Sequence, residues 1–440
     1  MKKLIITISV SIILIGLVAC VSNNLDSAQL AHHQNMAKQT MSQTKWNERE
    51  VSILKSLSLN YFTPREDKTN RVVNNEDAAK LGQKLFFDKR FSKDNSVSCS
   101  TCHKPELYFT DGLPQAVGLQ KTLRNAPSIV GASNEIWFFR DGRTDSLWSQ
   151  ALHPIENSQE HGGNRSQFAQ VIFNDPELKA EYEKVFGPMP DISDNSRFPV
   201  NAGPTRVKPV MKAWKSMPIA DQKIISTIYV NGGKAIAAYE SKLQPAPSRF
   251  DDYVKAVGDN DTNTMQSILS KDEVAGLNVF LNKGKCFICH NGPMFTDQGF
   301  HNIGTPPLNV KRYDFGRSKA VRRVKKNQFN CLSEFNDAKD KSCNELKYMV
   351  FHEEDTLAAF KTPSLRNVTK TAPYMHAGQY KTLKEVIKHY NDPPSTKVGM
   401  NKLLDIDLTD QEMAQLEAFL KSLNSPIAAE PALLEAPKNL

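Results

Sequence analysis

Apolar residues recur at helical spacing over 76–88, 144–153, 164–173, 222–240, 271–282, 382–390 and 409–423, several of these segments opening on Asp or Thr as caps. Each predicts one helix, and a further helix is expected around 47–57. Two-residue alternation is sparse, so strands contribute little. The Pro-, Gly- and Asn-rich stretches 187–209 and 303–317 predict long loops. The expected fold class is mainly α.

One apolar run has a different meaning. Lys2 and Lys3 precede an apolar segment from Leu4 to Val18, too short to span a membrane comfortably and typical of an export signal. Leu17-Val18-Ala19-Cys20 resembles a bacterial lipobox, which implies cleavage before Cys20 and lipidation of that cysteine; the alternative is an ordinary signal with a cysteine by chance. Val21 and Ser22 supply no charged retention signal, which in lipoproteins implies the outer membrane. The expectation is a periplasmic, lipid-anchored protein. Its net charge of +8 is mild, and the densest basic cluster, Arg322, Arg323, Lys325 and Lys326, lacks interleaved aromatics, so no nucleic-acid partner is expected. That cluster reads as a solvated loop, or else a docking face for an acidic redox partner.

Cysteine usage sharpens the picture. Of seven cysteines, Cys20 belongs to the anchor, and Cys331 and Cys343, 12 residues apart in a polar segment of an exported chain, are expected to form a local disulfide. The other four lie in Cys99-Ser100-Thr101-Cys102-His103 and Cys286-Phe287-Ile288-Cys289-His290. C-x-x-C-H is the attachment signature of c-type haem: two thioethers hold the porphyrin edge, and the histidine (His103, His290) becomes the proximal iron ligand. A thioredoxin-like pair would not need the histidine, and a zinc site would need further ligands at short spacing that neither motif has. Two covalent haem c groups are expected.

The chain repeats itself around these motifs. Leu81-Gly82 through Phe87 is echoed by Ala275-Gly276 through Phe280, Phe109-Thr110-Asp111 by Phe295-Thr296-Asp297, and Leu123-Arg124-Asn125 by Leu365-Arg366-Asn367. DGRTDSLWSQALHP (141–154) pairs with AGQYKTLKEVIKHY (377–390), which sets Pro154 opposite Tyr390. Two duplicated haem domains follow, with 1–20 as signal, 21–70 as tether, 71–225 as the first domain, 226–425 as the second and 426–440 as a tail. Proline cannot bind iron and a tyrosine phenolate can, so the His103 iron is expected to be open and the His290 iron six-coordinate.

LGQKLFFDKRFSKDNSVSCSTCH (81–103), DGRTDSLWSQALHPIENSQEHGG (141–163), FKTPSLRNVTKTAPYMHAG (360–378) and the second haem motif resemble the bacterial dihaem cytochrome c peroxidase/MauG superfamily over roughly residues 70–425. The resemblance implies hydrogen peroxide at the first haem and electron relay through the second. It implies Glu160 as the distal proton carrier, with Gln150 and Pro154 as its companions, where the residues alone would read Glu160 as a surface glutamate. It also implies Tyr390 as sixth ligand of the second haem; the bland reading is a core aromatic, and Met375 is the competitor. One Ca2+ is implied between the domains, on the Asn125 side chain and the carbonyls of Thr371 and Pro373.

Departures from the family pattern carry expectations too. Gly118 is followed by Leu119 where many relatives have a distal histidine, which predicts a first haem open without reductive activation. Arg140 stands where the family has a tryptophan between the haems, so that either Trp137 serves as the electron relay or electrons tunnel by another route, with Arg140 as a partner for a haem propionate. His153 either is structural or approaches the first iron. The resemblance leaves three functions open: a peroxidase fed by a small periplasmic cytochrome c or cupredoxin, a MauG-like oxidase acting on Trp or Tyr of a protein substrate, and a dihaem electron carrier without chemistry. It also allows a homodimer.

Overall fold

The computed structural model describes residues 46–309, 313–340, 342–350 and 352–438. The export signal, Cys20 and residues 21–45 of the expected tether lie outside the described residues. The helices that organise the molecule are α1 (Glu48–Leu57), α2 (Glu76–Phe87), α3 (Leu147–Glu156), α4 (Arg165–Asn174), α5 (Pro176–Phe186), α6 (Ile219–Ser241), α7 (Arg249–Gly258), α8 (Lys271–Leu281), α9 (Arg317–Lys326), α10 (Leu383–Asn391) and α11 (Asp410–Ser422). Two-residue antiparallel ladders join β1 (Gln244–Pro245) to β4 (Ile427–Ala428) and β2 (Phe300–His301) to β3 (Phe360–Lys361).

Sequence chemistry explains where these helices start. Asn75 accepts from the Ala78 amide ahead of α2, and Ser270/Glu273, Thr382/Glu385 and Thr409/Glu412 form capping boxes at α8, α10 and α11. Their apolar faces then pack into two cores. Phe86, Trp148, Phe168 and Tyr229 fill the first, and Phe250, Phe280, Phe295 and Phe419 fill the second.

Each core contains one close helix crossing set by a glycine. A Cβ on Gly82 of α2 would lie 1.9 Å from the Ala235 carbonyl oxygen of α6, and a Cβ on Gly276 of α8 would lie 1.9 Å from the Gln415 carbonyl oxygen of α11. No side chain fits at either crossing.

The connectivity departs from the expected boundaries. A break between residues 225 and 226 would cut α6, although Ile225, Ile228 and Tyr239 along that helix all belong to the first core. The segment expected as a tether ends in α1, whose Leu54 and Leu57 are buried in the second core. The segment expected as a tail returns to the first: Leu433 enters that core, and Gln83 Nε2 donates to the carbonyls of Ala432 (2.6 Å) and Glu435 (2.9 Å). Residues 313–350 also cross over. Phe329 sits in the first core, the Cys331 amide donates to Asp145 (2.8 Å), and Cys331 and Cys343 are disulfide-bonded. The two halves are therefore strapped together in both directions.

Candidate haem-binding active site

Both attachment motifs end in the same local geometry. His103 Nδ1 donates to the Phe109 carbonyl at 3.1 Å and His290 Nδ1 to the Phe295 carbonyl at 2.9 Å. A carbonyl only accepts, so Nδ1 carries the hydrogen in each ring and Nε2 is left as a metal ligand. Phe109 and Phe295 occupy the left-handed region (φ 56° and 52°), which turns each carbonyl back toward its histidine. Burial lowers the pKa of both imidazoles and favours the neutral, ligating form. The likeness extends further: the Phe138 amide donates to Thr144 O (3.0 Å) and the Tyr374 amide to Tyr380 O (2.7 Å), closing the same turn in each half.

Next to His103 lies a cavity of about 1690 Å³ whose lining includes Cys102, Gln150, Pro154, Glu160 and Arg143. One face of α3 supplies Gln150, His153 and Pro154, at helical spacings of three and four residues, and Asn157 follows as its C-cap. Pro154 adds neither an N–H nor a polar side chain at the cavity wall. After α3 the chain turns sharply, with the Glu160 and Gly162 amides donating to Asn157 O at 3.0 and 2.8 Å. Asn157 Nδ2 then donates to Glu160 Oε2 at 2.8 Å. Burial raises the Glu160 pKa, while Arg143 and the Asn157 hydrogen bond oppose that rise. The result is a carboxyl whose two protonation states lie closer together than on a surface glutamate.

The loop that would carry a distal histidine is pinned against this turn. Leu119 N donates to Glu160 O and Gln120 N to Gln159 O, both at 2.9 Å. A Cβ on Gly118 would lie 2.7 Å from the Glu160 Cα, so glycine is required for this approach. On the same cavity wall, His153 is tied to Asn327. Its Nε2 accepts from Asn327 Nδ2 at 3.2 Å, and burial followed by Arg143 lowers its pKa to about 4, so the ring is neutral with that nitrogen engaged.

The second site contains several side chains able to bind metal, and hydrogen bonding sorts them. His389 Nε2 donates to Ile303 O at 2.8 Å and its Nδ1 accepts from Tyr380 Oη at 2.9 Å, which occupies both nitrogens. His376 stacks on Phe360, with ring centroids 3.8 Å apart, and contacts Gln379 through Nε2 (3.2 Å). Met375 takes φ 69° in the turn, at the position that Phe139 (φ 64°) holds in the first half. Tyr390, on α10, packs against the second core, and its phenol pKa is raised by burial and then by the nearby sulfurs of Cys286 and Cys289. Among the described residues it makes no hydrogen bond. Cys289, Asp297 and His301 also converge, but a thioether-bound Cys289 offers no thiolate, and His301 Nε2 is already paired with Asp297 (2.7 Å).

Two expected roles meet obstacles. Asn125 Oδ1, the expected calcium ligand, accepts from Arg140 Nη2 at 2.7 Å, while its Nδ2 donates to Leu113 O at 2.9 Å. A cation already sits on the only side-chain oxygen of the expected set, so these residues do not fit a bound Ca2+. Trp137 packs with Val324, Leu346 and Cys343, and the Arg317 guanidinium lies 4.3 Å from its ring centre. Sequence reasoning missed Asn157, Arg143 and Asn327. The first two stand beside Glu160 and Pro154 in the quoted motif, whereas Asn327 comes from a segment 174 residues from His153 and carried no signal.

The two haem-attachment motifs agree with the comparisons to known proteins. A family model described as di-haem cytochrome c peroxidase matches residues 76–259. Cytochrome c551 peroxidase of Pseudomonas aeruginosa is 30% identical over 351 residues, covering 79% of this chain and 79% of that protein. The chain belongs to the di-haem cytochrome c peroxidase family. The chain of this di-haem peroxidase is also similar to methylamine utilization protein MauG of Methylorubrum extorquens, 28% identical over 361 residues (81% of this chain, 80% of that protein). The crystal structure of the diheme peroxidase BthA from Burkholderia thailandensis matches the fold with a TM-score of 0.59 at 20% identity, covering 85% of this chain and 93% of that one. Family membership implies two c-type haems and the chemistry of peroxide-acting oxidoreductases. The buried, Nε2-directed histidines fit such groups.

Proposed function

We propose that this di-haem peroxidase reduces hydrogen peroxide to water beside His103, and that His290 and Tyr390 would hold the second haem, which would supply the electrons. A c-type haem supplies the iron site and the one-electron chemistry. The chain's own residues manage protons and position. Glu160 accepts the proton that peroxide loses on binding and returns it to the departing oxygen; with two electrons and two protons, one peroxide gives two waters. Asn157 orients the carboxylate through the 2.8 Å bond, Arg143 favours its ionised form, and Gln150 offers an amide to the peroxide. Pro154 keeps that wall free of a competing ligand.

The observation that carries this reading is the contrast between the two halves. A cavity with an acid–base carboxyl faces His103, whereas a half-buried phenol with no hydrogen bond among the described residues lies near the sulfurs of Cys286 and Cys289. We take the two halves as a duplication, on the shared histidine–carbonyl bonds and the two glycine crossings. Trp137 carries no electron in this scheme, because a guanidinium over an indole face disfavours a positive charge on the ring.

A second reading, MauG-like oxidation of Trp or Tyr on a partner protein, draws on Tyr390 and on the loop at Leu119 that supplies no distal histidine. Stopped-flow mixing of the ferric protein with peroxide separates them. Rapid oxidation of a reduced small cytochrome c, two equivalents per peroxide, is expected for the peroxidase; oxidation of that donor no faster than peroxide alone achieves would overturn it. We place the protein in the periplasm, lipid-anchored through Cys20, on the strength of the export signal. No helix among the described residues is long and apolar enough to cross a membrane.

A further inference from the structure

We infer that Arg140 is a built-in replacement for the inter-domain metal: its guanidinium occupies the cation position beside Asn125, and the chain binds no calcium there. Calcium takes 6–8 oxygen ligands at about 2.3–2.6 Å, so it needs the lone pairs of every oxygen around it. Asn125 Oδ1 instead accepts a charge-assisted bond from Arg140 Nη2 at 2.7 Å. The amide is fixed in this orientation, because its Nδ2 donates to Leu113 O at 2.9 Å. A metal there would also have a fixed positive charge as its neighbour.

The surroundings keep that charge where it is. Arg140 is tied by its own backbone to the second half, since the Lys361 amide donates to Arg140 O at 2.8 Å. The nearby carboxylate does not draw the guanidinium away. Glu135 is ion-paired with Lys361, whose Nζ also donates to Trp137 O at 2.9 Å. Arg140 Nε is buried and has no hydrogen-bond partner among the described residues. A cation held on the Asn125 oxygen at the junction of two domains performs a metal's structural task. Asn125 itself spans that junction, its amide donating to His376 O at 3.0 Å.

The position in sequence is consistent with this exchange. Arg140 stands where the resemblance places a tryptophan, a residue that brings no charge to the asparagine. One substitution therefore accounts for two departures, the missing tryptophan and the capped calcium ligand.

The test uses the purified di-haem protein after chelator treatment and gel filtration. Calcium titration by calorimetry should show no stoichiometric site, and excess chelator should leave the melting temperature unchanged. Arg140→Ala frees Asn125 Oδ1 and should gain one calcium per chain, with a melting temperature that rises on calcium addition; Arg140→Trp serves the same purpose where the alanine variant does not accumulate. One tightly bound calcium in the wild-type protein overturns the inference. So does a folded, fully haem-loaded Arg140 variant that binds none.

Discussion

Replacing Glu160 by glutamine isolates the proton function from the packing. Glutamine is nearly isosteric, and its carbonyl can still accept from Asn157 Nδ2, the 2.8 Å bond that holds the side chain. What is lost is the capacity to carry a proton. Positioned acid–base catalysis contributes about 10²–10⁴ in rate, equivalent to about 3–5 kcal/mol of barrier. Stability should move the other way. Burial raises the folded pKa of Glu160 above the ordinary 4.5, so the native state holds its proton more tightly than the unfolded chain. That contribution favours folding at low pH and is lost as pH rises through the folded value, so at neutral pH the ionised carboxylate costs stability that glutamine does not. Glu160→Gln should therefore lose about 10²–10⁴ in peroxide-dependent oxidation of a reduced cytochrome c while melting no lower than wild type. The wild-type rate should fall as pH drops through a value above 4.5, and the variant should lack that limb. Turnover within about threefold of wild type with the same pH profile would refute the assignment.

The straps and crossings give further predictions. Arg366 donates to both oxygens of buried Asp251 (2.5 and 3.0 Å) and to the Leu57 and Pro293 carbonyls (both 2.8 Å), so Arg366→Met should cost about 3–5 kcal/mol and expose α1 to protease before the rest of the chain; unchanged denaturant and proteolysis curves would count against that strap. Gly82→Ala gains about 1 kcal/mol of helix propensity but sets a Cβ 1.9 Å from Ala235 O, and the displacement should outweigh it. Gly276→Ala should behave alike against Gln415 O, and a neutral or stabilising result at either position, by thermal melting, would contradict the crossing geometry.

Much of this architecture was legible in the sequence, for identifiable reasons. The helices expected at 76–88, 164–173, 271–282 and 409–423 appear within a residue or two at each end, because each has a capping side chain and a clear apolar stripe. The helix expected at 144–153 starts three residues later, where Ser146 rather than Thr144 caps it. Arg317–Lys326 went unread because six of its ten residues are Lys or Arg, leaving only Ala320, Val321 and Val324 as a buried stripe. The exchange of termini between the two cores left no periodic trace, since Leu54 and Leu433 look like any apolar residue in a short segment. At the site, motif spacing located His103 and His290, and the family resemblance pointed to Glu160. Calcium was implied by the resemblance, on Asn125, Thr371 and Pro373, and the guanidinium that bonds the Asn125 oxygen belongs to a residue 15 positions away.

The division of labour between the two haems can be read directly from the resting ferric protein by electron paramagnetic resonance. One high-spin iron and one low-spin iron are predicted, with the low-spin signal converting to high-spin in Tyr390→Phe and the high-spin signal responding to peroxide. Two low-spin irons that ignore peroxide, or a spectrum unchanged by Tyr390→Phe, would contradict the account.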